Sequence, residues 1–229
     1  IEEFREKGYA TLPDLYVRES VDDFVQEIHD VMYFNGIEMK IPDDSPVIIW
    51  PGQAPRIRQI LPLTLGRSQA KPLPSMYMSV WVIQPEDQPD IVPKWHKDRE
   101  PEGMTDNHYH YPIDVFVGLY FEDMKLEHGP AKIIVGSHRD GTLNPYAEGP
   151  EELMICRKQD GILLDQRAWH CGTPRTVPGV RILACYGYYA VPLFYSSTIP
   201  MPRAQRKAWL QAKSRKDQVF FGGIFDPLR

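Results

Sequence analysis

Gly161-Ile162-Leu163-Leu164-Asp165, then Ala168-Trp169-His170-Cys171, then Val180-Arg181-Ile182-Leu183-Ala184-Cys185-Tyr186-Gly187-Tyr188-Tyr189 follow one another closely in the chain. The first and last are short aliphatic and aromatic runs that read as strands. The middle one sets a histidine between them. Outward from here the extended pattern repeats in Met76 to Ile83, Asp114 to Phe121 and Ala131 to Val135, the last stopping at Gly136-Ser137. Sequential short strands without alternating helices argue for an antiparallel sandwich or barrel over a parallel sheet. Proline, 22 residues in all, is scattered through the connections, which suits many strands joined by turns.

The flanks read differently. Phe4 to Pro13 reads as a short helix end followed by a strand. Ser20 or Asp22 is placed to cap a helix in which Val21, Phe24, Val25, Ile28, Val31 and Met32 recur at three- and four-residue steps. Residues 42–74 look loop-rich. A second helix is expected from Pro202 to about Lys213, where basic residues alternate with Trp209 and Leu210 and read as a solvated face. The tail Phe220-Phe221-Gly222-Gly223-Ile224-Phe225 suits packing over the core better than a lid. These readings give one domain over residues 1–229, with a helical flank at about 1–40, a β core at about 76–192 and a C-terminal helix and tail at about 202–229.

Composition bounds the function. With 42% hydrophobic and 25% charged residues the balance is globular, and a net charge of -5 gives no electrostatic case for nucleic acid. Cys156, Cys171 and Cys185 have no zinc or redox spacing and read as reduced thiols, Cys171 as a small buried side chain rather than a nucleophile. No stretch reaches the length of a membrane span, and no basic-then-apolar signal region follows Ile1. The expectation is a cytoplasmic protein with a small-molecule substrate, without nucleic-acid or membrane partners, its oligomeric state left open.

The chemistry sits in three segments. In an extended chain, residues i and i+2 share a face, so His96 and Asp98 of Lys94-Trp95-His96-Lys97-Asp98 point into one cavity. His170 arrives from a distant strand. Two imidazoles and a carboxylate hold one face of a ferrous ion and leave the other open. Alternation sends Trp95 and Trp169 to the opposite face, to pack. Arg181 lies in the strand after His170, on the face of Leu183 and Cys185. A buried guanidinium needs an anionic partner, and a bidentate carboxylate is the natural one. His138-Arg139-Asp140 has the same spacing as His96-Lys97-Asp98, but it follows the end of a strand and is set aside.

Together these residues resemble the phytanoyl-CoA dioxygenase family of Fe(II)/2-oxoglutarate oxygenases. Phe4…Lys7-Gly8-Tyr9 with Leu12-Pro13 is similar to that family's opening, and His96-x-Asp98 to its proximal metal motif. Gly129-Pro130-Ala131…Gly136-Ser137-His138 is similar to its glycine-rich turn, and Asp160-Gly161-Ile162…His170 to its distal-histidine strand. The resemblance implies a double-stranded β-helix, a jelly-roll core with flanking helices. It implies iron held by His96, Asp98 and His170, 2-oxoglutarate ion-paired to Arg181, O2 as oxidant and ascorbate as a candidate reductant. The reaction implied is hydroxylation of a small metabolite, of natural-product type, with 2-oxoglutarate decarboxylated to succinate and carbon dioxide. The family's usual serine two residues after the distal histidine is replaced by Gly172, with Thr173 next as a candidate substitute. Tyr77 and Ser79 are further candidates for the cosubstrate. Two other functions compete: a zinc hydrolase using the same ligands, and a non-catalytic jelly-roll module binding a sugar or other small molecule.

Overall fold

The computed structural model describes residues 1–31, 33–35, 38–40, 55–65, 71–72, 79–83, 94–99, 110–112, 114–146, 149–179, 181–189 and 203–222. The chain opens with helix α1 (Glu2–Lys7), strand β1 (Tyr9–Leu12) and helix α2 (Arg18–Val31). The hairpin β2 (Tyr33–Asn35) and β3 (Glu38–Lys40), helix α3 (Pro55–Thr64), β4 (Lys71–Pro72) and β5 (Ser79–Ile83) follow. Then come β6 (Asp114–Tyr120), β7 (Ala131–Ile134), β8 (Glu151–Leu153), β9 (Gly161–Asp165), β10 (His170–Gly172) and β11 (Arg181–Tyr189). Helices α4 (Arg203–Gln211) and α5 (Arg215–Gly222) close the described chain.

Among the described residues every pairing is antiparallel. The main sheet runs β1-β9-β6-β11-β4, with β5 also on β11, and a second sheet runs β10-β7-β8. Period-two alternation sorts the main sheet into two faces. Ala10, Val115, Val117, Leu119, Leu163, Ile182, Ala184 and Tyr186 form an outer core with Val21 of α2, Ile57 and Leu61 of α3, and Phe220 of α5. Tyr9, Tyr120, Ile162 and Leu164 point the other way and meet Ile133 of the second sheet. Arg181 and Leu183 share this inner side by register, so a charged residue enters a strand whose neighbours are apolar.

The strands at 114–121, 131–135, 161–165 and 180–189 appear as expected to within a residue. The flanks carry the corrections. Helix α2 begins at Arg18, so Ser20 and Asp22 lie inside it rather than capping it. Its first turn is anchored instead by Arg18, which bonds Asp123 and Gln159. Helix α3 falls within the stretch read as loop. Ile57, Leu61 and Leu65 stand four apart and are each 1% exposed, a helical signal that Pro55 and Pro62 obscure. Proline at the first helical position is in fact favourable, since that amide has no partner inside the helix. Helix α5 carries the start of the aromatic tail into the core: Phe220 stacks on Tyr188 with centroids 6.2 Å apart, and Arg58 lies over its ring. Among the described residues no helix is long and apolar enough to cross a membrane.

Candidate metal centre

His170 opens β10, pairing with Ile133 of β7. His96 faces it in an isolated antiparallel bridge, each backbone N–H donating to the other's carbonyl at 3.0 Å. The segment is extended only around that bridge, and Asp98 already lies in a bend. Its backbone is fixed there because the amides of Asp98 and Arg99 both donate to the Gln166 carbonyl at 3.0 Å.

The three side chains converge. Asp98 Oδ2 lies 3.4 Å from His170 Nε2, and Asp98 Oδ1 lies 3.9 Å from His96 Nε2. One ligand atom from each residue falls within 4.8 Å of the others. Each imidazole is oriented by a backbone carbonyl: Lys94 O lies 3.1 Å from His96 Nδ1, and Ala168 O lies 3.0 Å from His170 Nδ1. A carbonyl only accepts, so each Nδ1 carries a proton and each Nε2 is the ring nitrogen turned toward the acid. That is the orientation a metal ligand needs. Burial pushes the Asp98 carboxyl up, but His170, His96 and Arg99 outweigh it and hold the group below its ordinary range. Two imidazoles and one carboxylate fit a divalent ion of the iron, nickel or zinc type.

Arg181 heads β11 and is 4% exposed. Its Nη1 donates to the carbonyls of Gly129 and Thr173. Its Nε is buried without a partner, and among the described residues no carboxylate pairs with it. Burial lowers its pKa, but a guanidinium stays charged. A Cβ built on Gly172 would lie 3.3 Å from Arg181 Nη2. The absent side chain at Gly172 thus leaves room beside the guanidinium. Gly172 is two residues past His170 on the same face of β10, a separation of roughly 7 Å along a strand. The unanswered charge therefore stands about a small diacid's length from the histidine.

The other candidates separate. Thr173 donates its hydroxyl to the Pro130 carbonyl, 2.5 Å away, so as placed it holds a turn together and has no proton for a carboxylate. Ser79 lies on β5 opposite Cys185, and Tyr77 lies outside the described residues. Arg175 is buried and forks onto Glu122 at 2.6 and 3.2 Å. Trp95 and Trp169 pack with Ile134, Leu143 and Cys171 on the opposite face, as alternation requires. Cys156, Cys171 and Cys185 are all free, and burial pushes the Cys171 thiol up to about 11. What the sequence reading passed over is the turn at Asp165 to Ala168, whose carbonyls orient two of the three ligands. Its signal was present as two charges, Asp165 and Arg167, directly after an apolar strand.

No family model matches the chain, and no curated protein matches it in sequence. Solved structures do match in shape. HygX from Streptomyces hygroscopicus, with nickel, 2-oxoglutarate and hygromycin B bound, superposes with a TM-score of 0.63 at 17% identity, over 83% of this chain and 86% of that one. The non-haem α-ketoglutarate-dependent epimerase SnoN, from nogalamycin biosynthesis, gives 0.60 at 16% identity, over 82% and 80%. The carbocyclase SnoK, from the same biosynthesis, gives 0.52 at 15% identity, over 82% of each chain. The fold is that of non-haem 2-oxoglutarate-dependent enzymes. The two antiparallel sheets are the jelly-roll core of a double-stranded β-helix, and the helices flank it. The neighbours do not single out the phytanoyl-CoA dioxygenase family within that class.

Proposed function

We propose that this protein is an Fe(II)- and 2-oxoglutarate-dependent dioxygenase that hydroxylates a small metabolite. His96, Asp98 and His170 would hold the iron, and Arg181 the far carboxylate of 2-oxoglutarate. When bound, the metal and cosubstrate supply, with O2, the oxidation of a substrate C–H bond coupled to decarboxylation to succinate and carbon dioxide. The chain's own part is placement. The carbonyls of Lys94 and Ala168 hold both imidazoles with Nε2 inward, and Asp98 stays ionised between them. On the His170 face of β10, a guanidinium that the described protein leaves without an acid stands beside Gly172.

That last observation carries the reading. A zinc hydrolase would use the same ligands but leaves the buried charge of Arg181 unexplained, and a sugar-binding module explains neither group. The fold neighbours support the same cofactors, since HygX is known with iron and with nickel and 2-oxoglutarate bound. Hydroxylation is the simplest outcome of such an oxidation. A natural-product substrate suits the biosynthetic settings of SnoN and SnoK. The test is succinate release with iron, 2-oxoglutarate and ascorbate, beside 2-oxoglutarate binding to the nickel-loaded protein. Arg181→Met should weaken that binding on the order of 10²-fold, the cost of removing one partner of a buried charge pair. If metal-loaded wild type neither binds nor consumes 2-oxoglutarate, the proposal fails.

A further inference from the structure

Two buried charges beside the centre ligate nothing in it. Asp165 is fully buried at the end of β9, and Arg167 is 4% exposed. Arg167 Nε and Nη2 fork onto Asp165 Oδ1 and Oδ2 at 2.9 and 2.7 Å. The Arg167 amide donates to Asp165 Oδ1 at 3.0 Å, and the Ala168 amide to the Asp165 carbonyl at 2.9 Å. Nη2 also donates to the His110 carbonyl at 2.8 Å, tying the turn to the chain just before β6. The result is a four-residue turn closed on itself by one ion pair. Two of its carbonyls point out of it. Gln166 O receives the amides of Asp98 and Arg99, and Ala168 O receives His170 Nδ1–H. Arg99 in turn forks onto the buried Asp114 at the head of β6, at 3.0 and 2.5 Å.

A buried ion pair is weak evidence for a gain in stability, because hydrocarbon of the same volume often serves folding as well. Resting on the metal site assigned above, we propose that Asp165 and Arg167 are a positioning pair for that centre. Their fork rigidifies the turn, so Gln166 O sets the backbone of Asp98, and Ala168 O fixes the tautomer and ring angle of His170. Partners that orient ligands in this way typically change metal affinity by about 10–100-fold when removed.

The experiment is Co(II) affinity by absorbance titration, with thermal melting alongside, on wild type, H96A, R167K and the double variant D165N/R167M. The amide side chain that D165N introduces keeps an oxygen for the backbone N–H two residues on, while both charges are lost. The double variant should melt near wild type yet bind Co(II) about 10–100-fold more weakly. R167K, which keeps the charge and loses the fork, should fall between. Wild-type affinity in a folded double variant overturns the proposal. If the double variant does not fold, R167K alone decides, since it keeps both charges and removes only the fork: weakening supports the pair's role and unchanged affinity overturns it. A wild type that fails to bind Co(II), or an H96A that binds as well, overturns the metal site itself and the pair's role with it.

Discussion

His96-Lys97-Asp98 and His138-Arg139-Asp140 have the same spacing and opposite fates. The first lies on a segment held extended by its bridge to β10, with the His96 side chain 50% exposed and its ring 4.3 Å from that of His170. The second lies in a 3-10 turn, Ser137–Arg139, directly after β7. There His138 is fully buried, its Nε2 donating to the Arg5 carbonyl at 3.0 Å. Asp140 turns away and accepts from the amide and hydroxyl of Thr142. A two-residue spacing aligns side chains only where the backbone is extended. The bare motif carries no chemistry until the local backbone is known.

The largest difference should appear in metal binding. His96→Ala removes one of three ligands and should weaken Ni(II) or Co(II) binding roughly 10²–10⁴-fold, about a third of a typical site's binding free energy. His138→Gln, with its own amide donor for Arg5, should leave metal affinity unchanged. Isothermal titration of both variants compares the motifs directly. Equal losses in the two would erase the distinction between them.

Acid should separate them next. Burial depresses the His138 pKa to about 4, against an ordinary value of 6.5. Below 6.5 the unfolded chain takes up a proton that the native state refuses. The contribution of His138 is thus complete above pH 6.5 and is lost as pH falls through 4. Across that window it amounts to about 3 kcal/mol. Urea melts between pH 7 and 4 should show stability falling in wild type and falling less in His138→Gln. Parallel pH profiles would show that His138 does not govern acid stability.

Legibility in the sequence followed the same rule. The strands β6, β7, β9 and β11 were plain because a strand covered on both faces reads as a short, nearly continuous apolar run. The ligands were legible because His96 stands on extended chain with an acid two residues on, and Arg181 because a charge inside an apolar strand demands a reason. Helix α3 was not, since two prolines masked a four-residue repeat whose meaning comes only from packing on the main sheet. The turn at Asp165 to Ala168 showed in the sequence only as two charges after an apolar strand, and its role was hidden for another cause. Its work is done by the carbonyls of Gln166 and Ala168, and a carbonyl leaves no mark on residue identity. Thr173 misled in the opposite sense: a hydroxyl at a suggestive position is taken by Pro130, a neighbour distant in sequence.

The smallest of these effects tests why the second motif is buried at all. Gly8 ends α1 in the left-handed region, at φ 87°, with its amide donating to the Phe4 carbonyl. A Cβ there would lie 2.7 Å from His138 Nδ1 and 3.2 Å from the Ala168 Cβ. Glycine is therefore required twice, by the backbone and by the close approach of an imidazole. The Gly8 carbonyl also receives the Asp165 amide at 2.8 Å, so the helix end is joined to the turn beside the metal centre. Gly8→Ala should cost about 1–3 kcal/mol of stability, read as a lowered denaturation midpoint. If the added methyl group displaces His138 without disturbing Ala168, the cost stays in the fold and metal affinity is unchanged. If it pushes on Ala168, whose carbonyl orients His170, metal affinity falls with it. Measuring both in one variant shows whether the buried motif is mechanically separate from the open one or shares a wall with it.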